Sequence, residues 1–440
     1  METVLVIGAA RSGIAVSKLL LKNGYHVVLT DSNKVNEKSE LESLGIEVFD
    51  GGHPDCLKDK EYAFIVKNPG IPYRVPFVHY FVEQNAKIYT EIEVAYRFAK
   101  NFNYAAVTGT DGKTTVTTLL YEMLNRQKKS LVAGNIGTPL CELVLEHTDA
   151  DYNVALELSN FQLLGIETFR PHVSTVTNLA PDHLDYMDSL EAYYESKMRI
   201  YENTNADDYF IRNVDDENVV KYAQNIPCQV IDFSLKRKDV DLYKDDKYAY
   251  YKDTQLFALS DLKIVGEFNC GNAMMASCMA YLMGVSLFNI QEVIREFSGV
   301  EHRIEYVDTI DNVRFYNDSK ATNTHAACAG LSAFEKNVIL LCGGKDKHIS
   351  FDDLKQYDAV VKKCISFGQT KDKFKDIFTN QISVETMKDA FEKAVLSAKP
   401  GDVVLLCPAC SSFDQFKNYE IRGEIFKQMV HDYASKRNEE

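Results

Sequence analysis

The stretch Val107-Thr108-Gly109-Thr110-Asp111-Gly112-Lys113-Thr114-Thr115 leaves little choice about what surrounds it. The apolar run 104–107 before it reads as a short strand. Apolar positions at 116, 119, 120, 123 and 124 after it predict a helix over 116–128. A glycine turn between strand and helix that carries Lys-Thr is suited to nucleotide phosphates. Backbone N–H groups at the helix N-terminus face the anion, Lys113 adds a point charge, and a threonine hydroxyl can ligate Mg²⁺. The usual spacing puts a glycine six residues before the lysine; here that position is Val107. The bland alternative is a tight turn with a solvated lysine, and the flanking strand and helix argue against it.

At 440 residues the chain exceeds what one core supports, so two or three domains are expected. No apolar run is long enough to span a bilayer, so no membrane insertion is expected. Met1-Glu2-Thr3 leads straight into a strand, which argues against a secretory signal. Ten cysteines, mostly within apolar runs, suggest reduced thiols and a cytoplasmic protein. Cys407-Pro408-Ala409-Cys410 leaves a redox pair open, although no second pair completes a zinc site. The net charge of −15 argues against a general nucleic-acid partner. Small anionic ligands would need a locally basic site, which makes lysines and arginines inside motifs more informative.

Residues 3–8 form an apolar strand ending in glycine. A turn over 9–13, a helix over 14–22 and a strand over 26–30 ending at Asp31 complete a βαβ opening. It is similar to a dinucleotide fingerprint, with Ala10 where the second glycine belongs. Strands at 46–49, 62–66 and 87–89 extend that sheet. The loop 67–72 is either a ligand loop at a strand end or a plain proline turn. A helix over 91–100 leads on, with a boundary near 92. The strand 152–159 carries Glu157, a costly buried acid unless it is paired or binds metal, and Mg²⁺ is the expected partner. The strand 173–177 runs into Asn178-Leu179-Ala180-Pro181-Asp182-His183-Leu184-Asp185, where His183 between two acids suggests a metal or substrate role. Asp188 and Glu191 form a capping box for the helix bearing Lys197, which by spacing alone reads as a surface lysine paired with Glu195 or Glu202. Residues 205–265 read as short strands with charged loops. Asn269 and Asn272 share a face of a helix placed at 273–283, for amide recognition or, for Asn269, N-capping. Past a boundary near 300, strands at 314–316, 338–342, 364–367 and 403–407 each lead into a polar loop, which describes a doubly wound parallel sheet.

Thr108–Thr115, Asp182-His183-Leu184-Asp185, Gly266-x-x-Asn269-x-x-Asn272, His302-Arg303 and Asn317-Asp318-Ser319-Lys320-Ala321-Thr322-Asn323 in combination resemble the ATP-dependent Mur ligases of peptidoglycan synthesis. Gly343–Lys347 and the closing run Pro408–Gly423 are similar to the members that add D-glutamate to UDP-N-acetylmuramoyl-L-alanine. The resemblance implies an α/β protein of three domains. These are a Rossmann-like N-terminal domain over 1–91 for the UDP substrate, a central P-loop ATPase-type domain over 92–299 for ATP, and a Rossmann-like C-terminal domain over 300–440 for the amino acid and ATP. It implies an acyl-phosphate route and a cytoplasmic monomer.

The resemblance also implies site residues. Lys113, Glu157, His183 and Lys197 are catalytic. One Mg²⁺ sits on Thr114 and Glu157, and a second on His183 and a carbamylated Lys197. Gly109, Thr110, Asp111, Gly112, Thr115, Asn269, Asn272, Arg303 and Asp318 join Lys113 and Thr114 around ATP. Ser12, Gly13, Ile14, Asp31, Ser32, Gly70, Asn135 and His183 take the UDP substrate. Lys320, Thr322, Lys347, Ser412, Phe413 and Tyr419 take D-glutamate. The chain departs from the family at Asp111, where Asn is frequent, at Asn160, where Ser is common, and at Ala9-Ala10. Rival readings are a folylpolyglutamate synthetase on the same core, an NAD-dependent oxidoreductase and a non-catalytic nucleotide switch. The βαβ opening argues against the first, and the second leaves the phosphate loop idle.

Overall fold

Short apolar runs separated by helical periods build three sheets, one after another along the chain. The structure, a computed structural model, describes residues 1–181, 187, 189–346 and 350–439. His183 with Asp182, Asp185 and Asp188, and also Lys347, lie outside the described residues.

The first sheet contains β1 (Thr3–Ile7), β2 (His26–Asp31), β3 (Glu47–Asp50), β4 (Phe64–Lys67) and β5 (Ile88–Tyr89), in the order β3-β2-β1-β4-β5. Every pairing is parallel. Val4 to Ile7 are fully buried, so β1 reads as a continuous apolar run rather than an alternation. The strand order reverses at β1, which puts the Gly8 turn and the loop after β4 side by side at the sheet's switch point. The following helix is Arg11–Lys22 and starts three residues earlier than expected. Gly13 therefore lies in its first turn. A Cβ there would stand 1.8 Å from the Gly8 carbonyl oxygen, so the close approach of helix to strand requires glycine.

The helix Glu91–Phe98 does more than connect. The Glu93 carboxylate is fully buried and accepts from the backbone N–H groups of Glu167, Thr168 and Phe169, from the Thr168 hydroxyl and from Arg97. Glu91 accepts from the Cys141 N–H. The first and second sheets accordingly share one hydrophobic core and one compact unit, residues 1–259 with 271–293.

The second sheet contains β6 (Phe102–Thr108), β7 (Leu131–Gly134), β8 (Tyr152–Glu157), β9 (Val173–Val176), β10 (Tyr209–Asn213), β11 (Gln229–Phe233), β12 (Leu242–Lys244), β13 (Tyr248–Tyr251) and β14 (Thr254–Ala258). Their order is β14-β13-β12-β11-β10-β9-β6-β8-β7. The sheet is parallel as far as β12, and β12 to β14 form an antiparallel edge from the polar stretch around 236–253. Because β6 lies between β9 and β8, the loops leaving their C-terminal ends are neighbours.

Residues 260–270 and 294–440 form the other unit. Its sheet holds β15 (Glu305–Ile310), β16 (Val313–Asn317), β17 (Val338–Gly343), β18 (Val361–Phe367), β19 (Gln381–Ser383) and β20 (Val403–Leu406), in the order β15-β16-β20-β17-β18-β19. The expected parallel sheet is present, with β15 added antiparallel at one edge. Asp311-Asn312, both left-handed, make the two-residue turn of that hairpin.

Candidate active site

The phosphate loop is braced by the loop after β9. Thr110 N–H donates to the Asn178 carbonyl (3.0 Å), and Asp111 N–H to Asn178 Oδ1 (3.0 Å). The Asp111 carbonyl accepts from the Thr177 hydroxyl (2.6 Å) and the Asn178 amide (3.1 Å). Gly109 is left-handed (φ 144°), and a Cβ there would stand 1.9 Å from Thr177 Oγ1. The helix Lys113–Gln127 begins three residues before the sequence suggested, with Gly112, which has no side chain to cap it, as N-cap. Thr114 and Thr115 lie in that turn, whose N–H groups can serve an anion. A Cβ on Gly112 would stand 2.6 Å from Asn272 Oδ1, so Asn272 packs directly against the loop.

Two ammonium groups converge on a single carbonyl. Lys113 donates to Gly109 O (2.9 Å) and Thr110 O (2.7 Å), and Lys197 donates to Gly109 O (2.7 Å). Such a focus of positive charge in an acidic protein suits a polyphosphate. Lys197 is 2% exposed and lies 4.7 Å above the Tyr193 ring, whose hydroxyl is 3.3 Å from Thr110 Oγ1. This overturns the surface-pair reading of Lys197. Ser189, accepting from Ala192 N–H, caps the helix Leu190–Met198.

Glu157 is 1% exposed. Its Oε1 accepts from the Asn135 amide (2.8 Å), while its Oε2 is buried and has no hydrogen-bond partner among the described residues. A buried carboxylate oxygen without a donor is costly, and a hard cation relieves that cost. The donor set therefore fits Mg²⁺. Asn135, expected with the UDP residues, sits after β7 and is tied to Glu157, its N–H also donating to the Glu157 carbonyl (2.8 Å).

Ser12, Gly13, Ile14, Asp31, Ser32 and Gly70, also expected at the UDP substrate, gather at the switch point of the first sheet. Ser12, Gly13 and Ile14 occupy the first turn of Arg11–Lys22. Asp31 accepts from Ala9 N–H (2.7 Å) and Asn33 N–H (2.8 Å), with Ser32 between them. Asn68 joins the two loops, its amide donating to Ser12 Oγ (3.3 Å) and its Oδ1 accepting from Gly70 N–H (3.0 Å).

In the other unit, Asp318 accepts from Ile304 N–H (3.3 Å) and the Cys407 thiol (3.3 Å), and burial pushes its carboxyl up to about 7. Arg303 follows His302, whose carbonyl accepts from Lys320 N–H (3.0 Å). The Lys320 ammonium lies 5.8 Å over the Tyr419 ring. Thr322 is half-buried ahead of the helix Thr324–Ser332, Ser412 is buried and Phe413 is exposed. The Asn269 amide donates to Val265 O (2.8 Å) from within the helix Glu267–Leu282, so Asn269 is not its N-cap. The thiols of Cys407 and Cys410 are buried, and burial pushes both up, Cys410 to about 11, against the depressed thiol that a redox pair uses.

Residues 107–280 match the Mur ligase middle domain, and residues 302–410 the Mur ligase glutamate ligase domain. The UDP-N-acetylmuramoylalanine–D-glutamate ligase of Geobacillus sp. (strain WCH70) is 44% identical over 440 residues, 97% of each chain. The chain belongs to the Mur ligase family. The same-named enzymes of Geobacillus kaustophilus (strain HTA426) and Bacillus cereus (strain G9842) are 43% and 40% identical, over 97% and 98% of this chain and 97% of each relative. Among solved structures, the MurF ligase of Thermotoga maritima in complex with ADP matches with a TM-score of 0.59 at 16% identity, over 94% of this chain and 96% of that one. The UDP-N-acetylmuramate-alanine ligase MurC of Thermotoga maritima matches with 0.56 at 18%, over 98% and 100%. These two show the fold.

Sequence reasoning missed four residues that shape the loops of this Mur ligase. Asn178 and Tyr193 brace the phosphate loop, as described. Arg422 is fully buried and donates to Ser319 Oγ (3.0 Å), Ser319 O (2.8 Å) and Cys410 O (3.1 Å), joining the loops after β16 and β20. Burial draws its guanidinium down to about 10. Lys67 is fully buried at the end of β4. Asn178 and Arg422 lie inside quoted motifs, yet no periodicity marks them. Lys67 ends a strand where a solvated lysine is the ordinary expectation.

Proposed function

We propose that this Mur ligase uses ATP to join D-glutamate to UDP-N-acetylmuramoyl-L-alanine in peptidoglycan precursor synthesis. The carrying observation is near-full-length identity of 40–44% to relatives that bear that ligase's name. Residues 1–91 take the UDP end, 92–299 take ATP, and 300–440 take the amino acid and part of ATP. The enzyme works as a cytoplasmic monomer with no nucleic-acid partner.

The alanyl carboxylate attacks the γ-phosphate of ATP, and the D-glutamate amine then displaces phosphate from the acyl phosphate. Transfer between anions depends on positioning and charge neutralisation. Lys113 and the first-turn N–H groups hold the β- and γ-phosphates, and Asn272 holds the nucleotide against Gly112. Thr114 and Glu157 would hold one Mg²⁺, and His183 and Lys197 a second. Bound there, Mg²⁺ neutralises phosphate charge and polarises the acyl oxygen. Lys197 is carbamylated: its neutral amine adds to CO₂, an N–C bond forms, one C=O electron pair moves to oxygen and the amine proton leaves to solvent. Arg303 and Asp318 also contact the nucleotide. Lys320, Thr322, Lys347, Ser412, Phe413 and Tyr419 hold D-glutamate, whose second carboxylate pairs a lysine that a neutral side chain would leave unpaired.

Phosphate release with UDP-N-acetylmuramoyl-L-alanine and ATP, scanned across amino acids, tests the reading. The expected outcome is turnover with D-glutamate alone. Comparable turnover with D-glutamine or L-lysine would sink it.

A further inference from the structure

Lys67 closes β4 opposite Ile7, directly beside the Gly8 turn. Its side chain is fully buried. Its ammonium donates to the carbonyls of Ile71 (2.7 Å), Asn68 (3.1 Å) and Pro69 (3.4 Å), and it lies 4.5 Å from the centroid of the Tyr73 ring. Three carbonyl oxygens and a π face surround the charged form, which offers three donors and no acceptor.

The sequence Lys67-Asn68-Pro69-Gly70-Ile71-Pro72 is made for that cage. Two of the three inward carbonyls precede proline, so those peptide units carry no N–H that would have to be satisfied elsewhere. The third precedes Gly70, whose N–H is taken by Asn68 Oδ1 (3.0 Å). The prolines also fix φ, which lowers the entropy of holding three carbonyls on one point. Asn68 then reaches across the switch point. Its amide donates to Ser12 Oγ, and its Cβ would meet a Cβ placed on Gly8 at 2.7 Å. The shape of the loop and the spacing of the two nucleotide-facing turns both depend on the buried ammonium.

We propose that Lys67 is a positioning residue for the uridine-diphosphate end of the substrate, its ammonium folding the 68–72 loop so that Asn68 and Gly70 stand against the Gly8 turn. This rests on the reading that the first sheet takes the UDP end. Lys67 never touches the ligand; it acts through Asn68 and Gly70. Burial pulls the Lys67 amine down to about 7, and the carbonyl cage is what opposes loss of its proton.

The experiment compares wild type with Lys67→Met and Lys67→Gln by steady-state kinetics in each substrate and by calorimetric binding of UDP-N-acetylmuramoyl-L-alanine. Both variants remove the charge, and Gln keeps a short donor. The expected result is a KM and Kd for the UDP substrate raised about tenfold or more, with Gln less affected than Met. The KM values for ATP and D-glutamate should stay within about twofold. An unchanged KM for the UDP substrate in a folded variant overturns the proposal, as does an equal loss across all three substrates or failure of both variants to fold. Wild type that does not bind the UDP substrate would instead overturn the reading of the first sheet.

Discussion

Lys67 and Lys113 use the same chemistry at two places in one unit. Lys67 ends the parallel strand β4 and Lys113 follows the parallel strand β6, and each turns its ammonium back onto carbonyls of its own loop. They differ in burial. Lys67 is sealed beneath the loop it organises, whereas Lys113 is half-buried at a helix N-terminus whose N-cap, Gly112, carries no side chain. Lys113 can exchange two carbonyls for a phosphate at little cost, because the helix end already favours an anion. Lys67 has no such exchange, since withdrawing it would strand three carbonyls in an apolar setting. On the proposed reading one ammonium is a ligand group and the other is scaffold.

The largest effect separates the two directly. Lys113→Met is expected to lower kcat by about a thousandfold while leaving the Kd of the UDP substrate unchanged, because on the proposed reading the charge lost is one that meets the transferring phosphate. Single-turnover phosphate release with calorimetry checks both halves. A residual rate within about tenfold of wild type would place Lys113 with Lys67 as scaffold.

Lys197 tests whether burial alone assigns a lysine to the scaffold. It is as buried as Lys67 and shares the Gly109 carbonyl with Lys113. As a carbamate it would be a ligand group despite its burial. Lys197→Ala and Lys197→Arg are both expected to lose about a hundredfold or more in acyl-phosphate formation while still binding ATP, since arginine keeps charge but cannot add CO₂. Full activity in Lys197→Arg refutes the carbamate.

These contrasts explain what the sequence made legible. The strand, glycine turn and helix around Lys113 are legible because an apolar strand and a helical period flank Gly-Lys-Thr. The burial of Glu157 is legible because the strand that carries it is apolar on both sides of it. The sheets followed from continuous apolar runs at β1, β6, β17 and β20. Lys67 was not readable, because whether a strand-end lysine is sealed depends on how the loop after it folds, and that is decided by the neighbouring Gly8 turn. Arg422 depends in the same way on two loops far apart in sequence, at Ser319 and Cys410. β15 escaped notice because it is a half-buried edge strand with no continuous apolar run. Helix starts were set late, at 14, 116 and 273 against Arg11, Lys113 and Glu267, because apolar periodicity marks the packed face and not the polar first turn.

The same division extends to two buried acids of that unit, and here the expected effects are smaller. Glu157→Gln keeps the acceptor for Asn135 and removes the charge around the orphaned Oε2. Activity should fall about a hundredfold while thermal stability holds or rises, since no buried charge then lacks a partner. Measured together, an equal loss of stability would make Glu157 scaffold.

Glu91→Gln should do the reverse, altering stability and sparing catalysis. Burial pushes the Glu91 carboxyl up from 4.5 to about 7, partly offset by the Cys141 N–H and reinforced by nearby Glu142. With the folded pKa above the unfolded one, the folded chain holds the extra proton between about pH 4.5 and about pH 7. Stability contributed by that proton is full below about pH 4.5 and is lost as the pH climbs through about 7. The charged form then costs at most about 3 kcal/mol above that range. Glutamine retains the oxygen that accepts from Cys141 and ionises in neither state, so its advantage grows from about pH 4.5 and is full above about pH 7. Thermal unfolding of Glu91→Gln should therefore occur at a higher temperature than wild type at about pH 8 and at nearly the same temperature at about pH 4. Turnover should be close to that of wild type at both. A variant destabilised at about pH 8 would mean that the carboxylate charge itself holds the helix Glu91–Phe98 in place. Burial would then fail as the criterion that separates the scaffold group from the ligand group.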